Sequence, residues 1–335
     1  MTADTGLLGM ADFWPTRIVV VVASLSGRPA TQRGQRSLAA QRNTSSFTFV
    51  VYQRLDPTAP NYSPNHAHEA GVYIQFILEH YDHLPQQTLF AQDMYADHNP
   101  ELLGWAACTK PDAAYSPMTA VRLLRRGLIE WKLASNLTKV SMPGLEAIVE
   151  QCWRNFLDVF GKSRLLPPQV TPTVGYYQGA LFLASRDRLR AFPRSTYARA
   201  HKLAAGGDGR CHHGELEWAR LSFEKTDYPE DLHDSPRLSK HTSAGAWEHL
   251  QHVIVGSMGM RAPFYFDWCS VFEYSGHCMG SPCHKLRRHK NRTASAPRQS
   301  IPSTRLPAPT LPRRMRLSRW SHRGNVSIVL SGADV

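Results

Sequence analysis

The sequence predicts an α/β fold, an open and mostly parallel sheet flanked by helices, and three observations predict it. Ile18-Val19-Val20-Val21-Val22-Ala23 is a continuous β-branched run, as found in strands buried on both faces. A second such run, SFTFVVYQRLD at 46–56, leads into a strongly patterned helix and then a short strand at Thr88-Leu89-Phe90-Ala91. Strand, helix and strand in that order make a right-handed crossover, and so a parallel pair, the expected connection.

With 335 residues, 42% of them hydrophobic, the chain can bury a sizeable core. A flexible N-terminus (1–16), a single α/β domain (17–284) and a tail (285–335) are expected. The first strand spans 17–25 and is followed by a polar loop or insertion over 26–46. Pro57 and the turn-rich stretch after it close the second strand. In the helix that follows, Asn65 is a plausible N-cap and Glu69 suits the positive end of the dipole. Ala70, Tyr73, Ile74, Ile77 and Tyr81 form its apolar stripe, with Gln75, Glu79 and Asp82 outward, and Leu84-Pro85 stops it. Apolar spacing predicts helices at 118–132 (Val121, Leu124, Leu128, Trp131) and 144–161 (Leu145, Ile148, Cys152, Phe156, Phe160). Gly179 to Ala184 reads as a buried strand, after which Ser185 caps a short helix that Pro193 ends. A further helical turn is expected at 196–203, a long loop or lid over 205–244, and a last helix at 246–255.

The net charge of +12 suggests a nucleic-acid partner, but its distribution does not. Twelve basic residues and one acid, Asp334, fall between Lys285 and the end, leaving 27 basic and 26 acidic residues elsewhere. The Arg/Pro/Ser-rich tail cannot offset its ordering entropy and is expected to be disordered, with weak attraction to nucleic acid or anionic surfaces as its alternative role. No specific nucleic acid is expected for the folded part. No apolar run reaches the roughly 20 residues that span a bilayer. Only Arg17 is basic before the first strand, so no signal peptide is visible; the compartment stays open, the secretory pathway included if the N-terminus is incomplete. Five of the eight asparagines (Asn43, Asn61, Asn136, Asn291, Asn325) lie in N-x-[ST] sequons. The six cysteines form no C-x-x-C pair; free thiols are expected ahead of a partial disulfide set, and the spacing from Cys269 to His284 fits no common zinc module.

In an open parallel sheet, ligands bind beyond the carboxyl ends of the strands. That puts Asp56 on one rim with Gln92, Asp93, Asp97 and His98. Carboxylates there suit Mg²⁺ or Mn²⁺ bridging phosphate oxygens, the alternative being that Asp93 and Asp97 cap turns. Glu248 and His252 stand four apart on one helix face, as a base with its orienting partner or as a solvated face. His66 and His68 diverge by roughly 200° on a helix and ligate poorly together, while His80 and His83 complement the helix dipole. No G-x-S-x-G, G-x-G-x-x-G or G-x-x-x-x-G-K-[ST] motif is present.

Several blocks together resemble a broad family of eukaryotic and bacterial proteins of unknown function, over roughly residues 17–275. They are Asn65, Glu69, Ala70 and Tyr73 in N-x-x-x-EA-x-x-Y, His80 to Pro85 in HYD-x-LP, and the strand-end Phe90. Ser185, Arg186, Arg188, Arg190, Pro193 and Tyr197 then form S-R-x-R-x-R-x-x-P-x-x-x-Y, and Trp247, Glu248 and His252 complete the set. By fold analogy the order of elements is similar to Rossmann-related nucleotide-sugar glycosyltransferases of the GT-A type. That likeness implies Asp93, with Asp97, as the ligand of Mn²⁺ or Mg²⁺ and Glu248 as the catalytic base, beside which His252 is the orienting partner that the helix spacing offers. It also implies Arg186 and Arg188 as contacts to the donor diphosphate, with a nucleotide sugar and an acceptor as small-molecule partners, and Asp56 joins the donor contacts from its place on the rim. One departure is plain: QDMYAD spaces its acids by four, so the D-x-D triplet is absent. The rival expectation is a non-catalytic binding protein on the same scaffold.

Overall fold

The computed structural model describes residues 13–24, 38–54, 56–64, 66–93, 95–120, 122–126, 143–166, 173–177, 179–205, 211, 237–260, 262–263, 266–278, 280–285, 321–322 and 325–326. Strand β1 (Ile18–Ser24) is buried along its whole length. Because side chains alternate across a strand, Val19, Val21 and Ala23 face one core while Ile18, Val20 and Val22 face another. β1 pairs in parallel with β2 (Phe47–Gln53) on one side and with β3 (Gln87–Gln92) on the other. β4 (Tyr115–Pro117) and β7 (Phe182–Ser185) complete the order β2-β1-β3-β7-β4. β7 runs antiparallel to both of its neighbours, so four strands point one way and β7 against them. The class is α/β, and the sheet is mixed.

One face is covered by α1 (Glu69–Glu79), α3 (Pro143–Val159), α5 (Arg194–Ala204) and α6 (Arg237–Ile254), which pack on one another and bury Phe156, Tyr197, Trp247 and Leu250. The opposite face is covered by shorter pieces, α2 (Leu102–Ala107), α7 (Trp268–Val271) and the segment through Cys283. β5 (Arg122–Arg126) and β6 (Thr173–Tyr177) form a separate antiparallel ribbon, β6 lying against α6. α4 (Arg186–Arg190) follows β7 directly, with the Ser185 hydroxyl accepting from Arg188 N at 3.2 Å as the capping signal predicts. Among the described residues no helix is long and apolar enough to cross a membrane.

Several expectations are corrected. The apolar spacing read as a helix over 118–132 instead contains the strand Arg122–Arg126, because β6 offers it a ladder that sequence spacing cannot anticipate. The last helix begins at Arg237, nine residues before the expected start, and so removes part of the loop expected over 205–244. The first helix begins at Glu69 with His68 at its N-cap and no side-chain cap, while Asn65 itself lies outside the described residues. The strand expected from Gly179 begins at Phe182, since Gly179 and Ala180 both take positive φ and turn the chain. His80 was read as complementing the dipole, yet burial against Phe76 and Trp14 lowers its pKa. The tail lies outside the described residues, apart from Lys285, which donates to Glu101, and the pair β8 (Ser321–His322) and β9 (Asn325–Val326).

The largest correction concerns cysteine. All six are paired, Cys108 to Cys278, Cys152 to Cys211 and Cys269 to Cys283, with Cα atoms 5.6, 4.6 and 4.7 Å apart. The first two pairs join residues 170 and 59 positions apart, and six cysteines allow about 15 connectivities, so sequence alone could not select this one. Disulfide pairing of Cys269, Cys278 and Cys283 also excludes the zinc reading of that segment.

Ile74 is fully buried at the centre of the α1 core, and Ile74→Ala should cost about 2–5 kcal/mol in denaturant unfolding. Glu79 is exposed, as its place opposite the apolar stripe predicts, yet it holds two neighbours. It accepts the hydroxyl of buried Tyr52 at 2.5 Å and Gln75 Nε2 at 2.7 Å. Glu79→Ala should therefore cost about 1–2 kcal/mol, and combining it with Tyr52→Phe should cost less than the sum of the two.

His80 and His201 both have pKa values lowered from 6.5, in each case chiefly by burial. A lowered imidazole pKa favours the neutral ring in the fold, so its contribution is complete above 6.5 and is lost as pH falls below it. The melting temperature should drop on acidification from pH about 7 to about 5, and His201→Gln should reduce that drop.

Candidate functional site

Four strands end on one edge of the sheet, and that edge gathers the polar side chains. Ser24 ends β1, Gln53 and Arg54 end β2, and Gln92 and Asp93 end β3. The turn before β7 enters from the same edge, because β7 runs the other way and Phe182 sits opposite Phe90. In that turn Gly179 makes two bonds. Its carbonyl accepts Gln92 Nε2 at 2.9 Å, and its N–H donates to Glu248 Oε1 at 3.0 Å. Gly179 thereby ties the half-buried Glu248 of α6 to the end of β3. Its φ of +92° is open to glycine, and a Cβ there would lie 2.7 Å from the His98 ring.

Tyr73, Glu69 and Arg54 complete the cluster. Tyr73 of α1 is fully buried, and its hydroxyl has no hydrogen-bond partner among the described residues. Burial pushes the phenol well above its ordinary pKa; Glu69 adds to the shift, Arg54 opposes it and Glu248 adds further. Arg54 is 4% exposed and pairs with Glu69 at 3.5 Å. The rim thus carries Glu69, Glu248 and Asp93 with Arg54 among them. The signals for the missed residues were a cation at the end of a buried strand (Arg54) and a hydroxyl within an apolar stripe (Tyr73).

Asp93 sits where the sequence placed it and closes the rim. Its carboxylate accepts Ser24 Oγ at 2.8 Å and Ala39 N at 2.9 Å, pinning the chain at 38–39 over the end of β1. Asp97 belongs to the 3₁₀ turn Tyr95–Asp97, and its side chain lies outside the described residues. Asp56 caps a turn, its carboxylate accepting the Thr58 hydroxyl at 2.7 Å and Thr58 N at 2.9 Å, bonds that hold its pKa below the usual carboxylate range. His252 is fully buried one turn along α6 from Glu248, so neither residue lies on a solvated face.

Arg186 and Arg188 are corrected as donor contacts on this rim. Ser185 sits opposite Gln87, at the start of β3, so the helix that follows lies at the opposite edge from Asp93. There Arg188 donates to the Val255 carbonyl and to Ser257 Oγ, joining α4 to the end of α6. The cause is the antiparallel β7, which reverses the end of the sheet that its following helix occupies.

Among the described residues no group of three His, Cys, Asp or Glu side chains is positioned to hold a metal ion. Both oxygens of Asp93 already accept protein donors.

The chain matches the family described as Protein of unknown function (DUF3431) over residues 29–212. The match spans more than half of the chain, which belongs to this family. No curated protein and no solved structure matches it. Arg54, Glu69, Tyr73, Asp93 and Gly179 fall inside the matched stretch, and Glu248 falls beyond it.

Gly179→Ala should lower stability by about 1–3 kcal/mol, since a Cβ meets the His98 ring at a positive φ. Gly161 has φ +66° and open space around it, so Gly161→Ala should cost less. Equilibrium unfolding of the two variants isolates the steric contribution at the rim.

Proposed function

We propose that the protein is a glycosyltransferase-like enzyme acting on a nucleotide sugar, with the rim of the sheet as its active site and Glu248 as its base. The observation that carries this reading is the Gln92–Gly179–Glu248 chain of bonds, which brings a carboxylate of α6 to the strand end bearing Asp93. In an α/β sheet that edge is the usual ligand site. The acceptor hydroxyl attacks the anomeric carbon of the donor and its proton passes to Glu248, while the bond from that carbon to the diphosphate breaks. Tyr73 and Arg54 supply donors beside the carboxylates.

Charge sets a condition on binding. Glu69, Asp93 and Glu248 repel a bare diphosphate, and Arg54 already neutralises part of Glu69. A donor should therefore bind only together with Mn²⁺ or Mg²⁺ carried on its phosphates. The clamp that Asp93 makes on Ser24 and Ala39 favours a second reading, a rigid non-catalytic binding protein on the same scaffold.

A thermal-shift screen of UDP- and GDP-sugars with and without Mn²⁺, followed by turnover assays, separates the two. The expected result is stabilisation by a donor only with the cation, and a loss of about 10²–10⁴-fold in turnover for Glu248→Gln at unchanged melting temperature. Asp93→Asn, which keeps the clamp's shape, should weaken cation-dependent binding. Stabilisation without turnover would favour the binding protein, and no response to any nucleotide sugar would overturn both readings of this rim as a nucleotide-sugar site.

A further inference from the structure

We propose that Asn43 and Asn61 are acceptors for N-linked glycans, and that the two glycans shield the outer edge of the sheet along β2. This does not depend on the function proposed for the rim. Two separate observations meet here.

The first is redox state. All six cysteines are paired, two of the pairs across long stretches of chain. Disulfides form and persist in oxidising compartments, where asparagine-linked glycans are also added. The sequons Asn43-Thr44-Ser45 and Asn61-Tyr62-Ser63 are therefore read in a setting where they have meaning.

The second is placement. β2 is the terminal strand of the five-stranded sheet, and its odd-numbered residues turn their backbone polar groups away from β1. Such an edge invites pairing with another chain unless something covers it, and here residues 43–44 and 61–63 of the chain itself bond most of its outward groups, a cover that the glycans extend. Both sequon asparagines are exposed and lie on this edge, though 18 residues apart in sequence. Phe49 N donates to Asn43 Oδ1 at 2.8 Å, and Asn61 Nδ2 donates to the Val51 carbonyl at 3.4 Å. At the strand's two ends, Phe47 N donates to Thr44 Oγ1 at 3.0 Å and Gln53 N donates to the Asn61 carbonyl at 3.2 Å. Between these clamps Phe49 and Val51 line an open groove of about 540 Å³ that Asn61 also borders.

The chemistry fits both side chains. The amide nitrogen attacks the anomeric carbon of a lipid-diphosphate-linked oligosaccharide; the carbon–oxygen bond to the diphosphate breaks, the lipid diphosphate leaves, and the nitrogen loses one proton. One N–H remains on Asn61, enough to keep its bond to Val51. Asn43 is tied down through its oxygen, which the reaction does not touch. Ser63 is 1% exposed in the folded chain while Ser45 is exposed, so Asn61 is modified before folding is complete and Asn43 need not be.

The test uses the full chain directed into the secretory pathway of a eukaryotic cell by an added signal peptide. Glycopeptide masses and the mobility change on treatment with an amidase that removes N-glycans are then recorded. Glycans are expected at both positions. Ser45→Ala should remove the one at Asn43 while leaving its bond to Phe49 intact, and Ser63→Ala the one at Asn61. Asn61→Gln serves in place of Ser63→Ala should loss of the buried hydroxyl impair folding. Secreted, fully disulfide-bonded protein with both asparagines unmodified would overturn the proposal. Shielding is read by sedimentation: the variant lacking both glycans should self-associate at concentrations where the glycosylated protein is monomeric. Equal behaviour of the two would overturn the shielding role.

Discussion

Burial of β1 on both faces is the constraint from which the rest of the architecture follows. Every residue from Ile18 to Ser24 is buried, so apolar cover is required above and below the strand. Parallel neighbours on both sides satisfy its backbone, and helices supply cover on one face. That face is built as expected of a doubly covered sheet. Four helices of 11 to 18 residues share one continuous core there, with Trp153, Phe156, Tyr197 and Trp247 between them.

The other face meets the same demand differently. α2 has six residues and α7 four, too short to bury enough surface to hold themselves in place. Two disulfides compensate. Cys108–Cys278 ties the end of α2 to the C-terminal segment, and Cys269–Cys283 closes that segment on itself. Each removes freedom from the unfolded chain, worth about 2–4 kcal/mol. The aromatic group Trp105, Phe266, Trp268 and Phe272 fills the space they enclose.

Reversal of one strand then decides where the polar side chains gather. With β7 antiparallel, the turn before it comes to the carboxyl ends of β1, β2 and β3, and Gly179 can bond Gln92 and Glu248 together. The same reversal sends Arg186 and Arg188 to the far edge, where Arg188 braces α4 against the end of α6. The candidate site of Arg54, Glu69, Tyr73, Asp93 and Glu248 thus draws on two strand ends and two helices. A positive φ at Gly179 is the local condition for that convergence.

The sequence by itself determined the α/β class, β1, β2 and β3, the first helix with its buried Ala70, Tyr73, Ile74 and Ile77, though not the half-buried Tyr81 beyond its end, the cap at Ser185, and Asp93 at a strand end. These features are written in local patterns: β-branched runs, helical spacing, and residues whose side chains bond their own backbone. Tertiary structure alone decided the direction of β7, the strand at Arg122–Arg126, the three disulfide partners and the pairing of Arg54 with Glu69. Each of these depends on a partner far away in the chain, and residue spacing carries no information about which distant segment will lie alongside. Asn43 and Asn61 illustrate the division: their sequons are legible in the sequence, and only the folded sheet brings them to one edge.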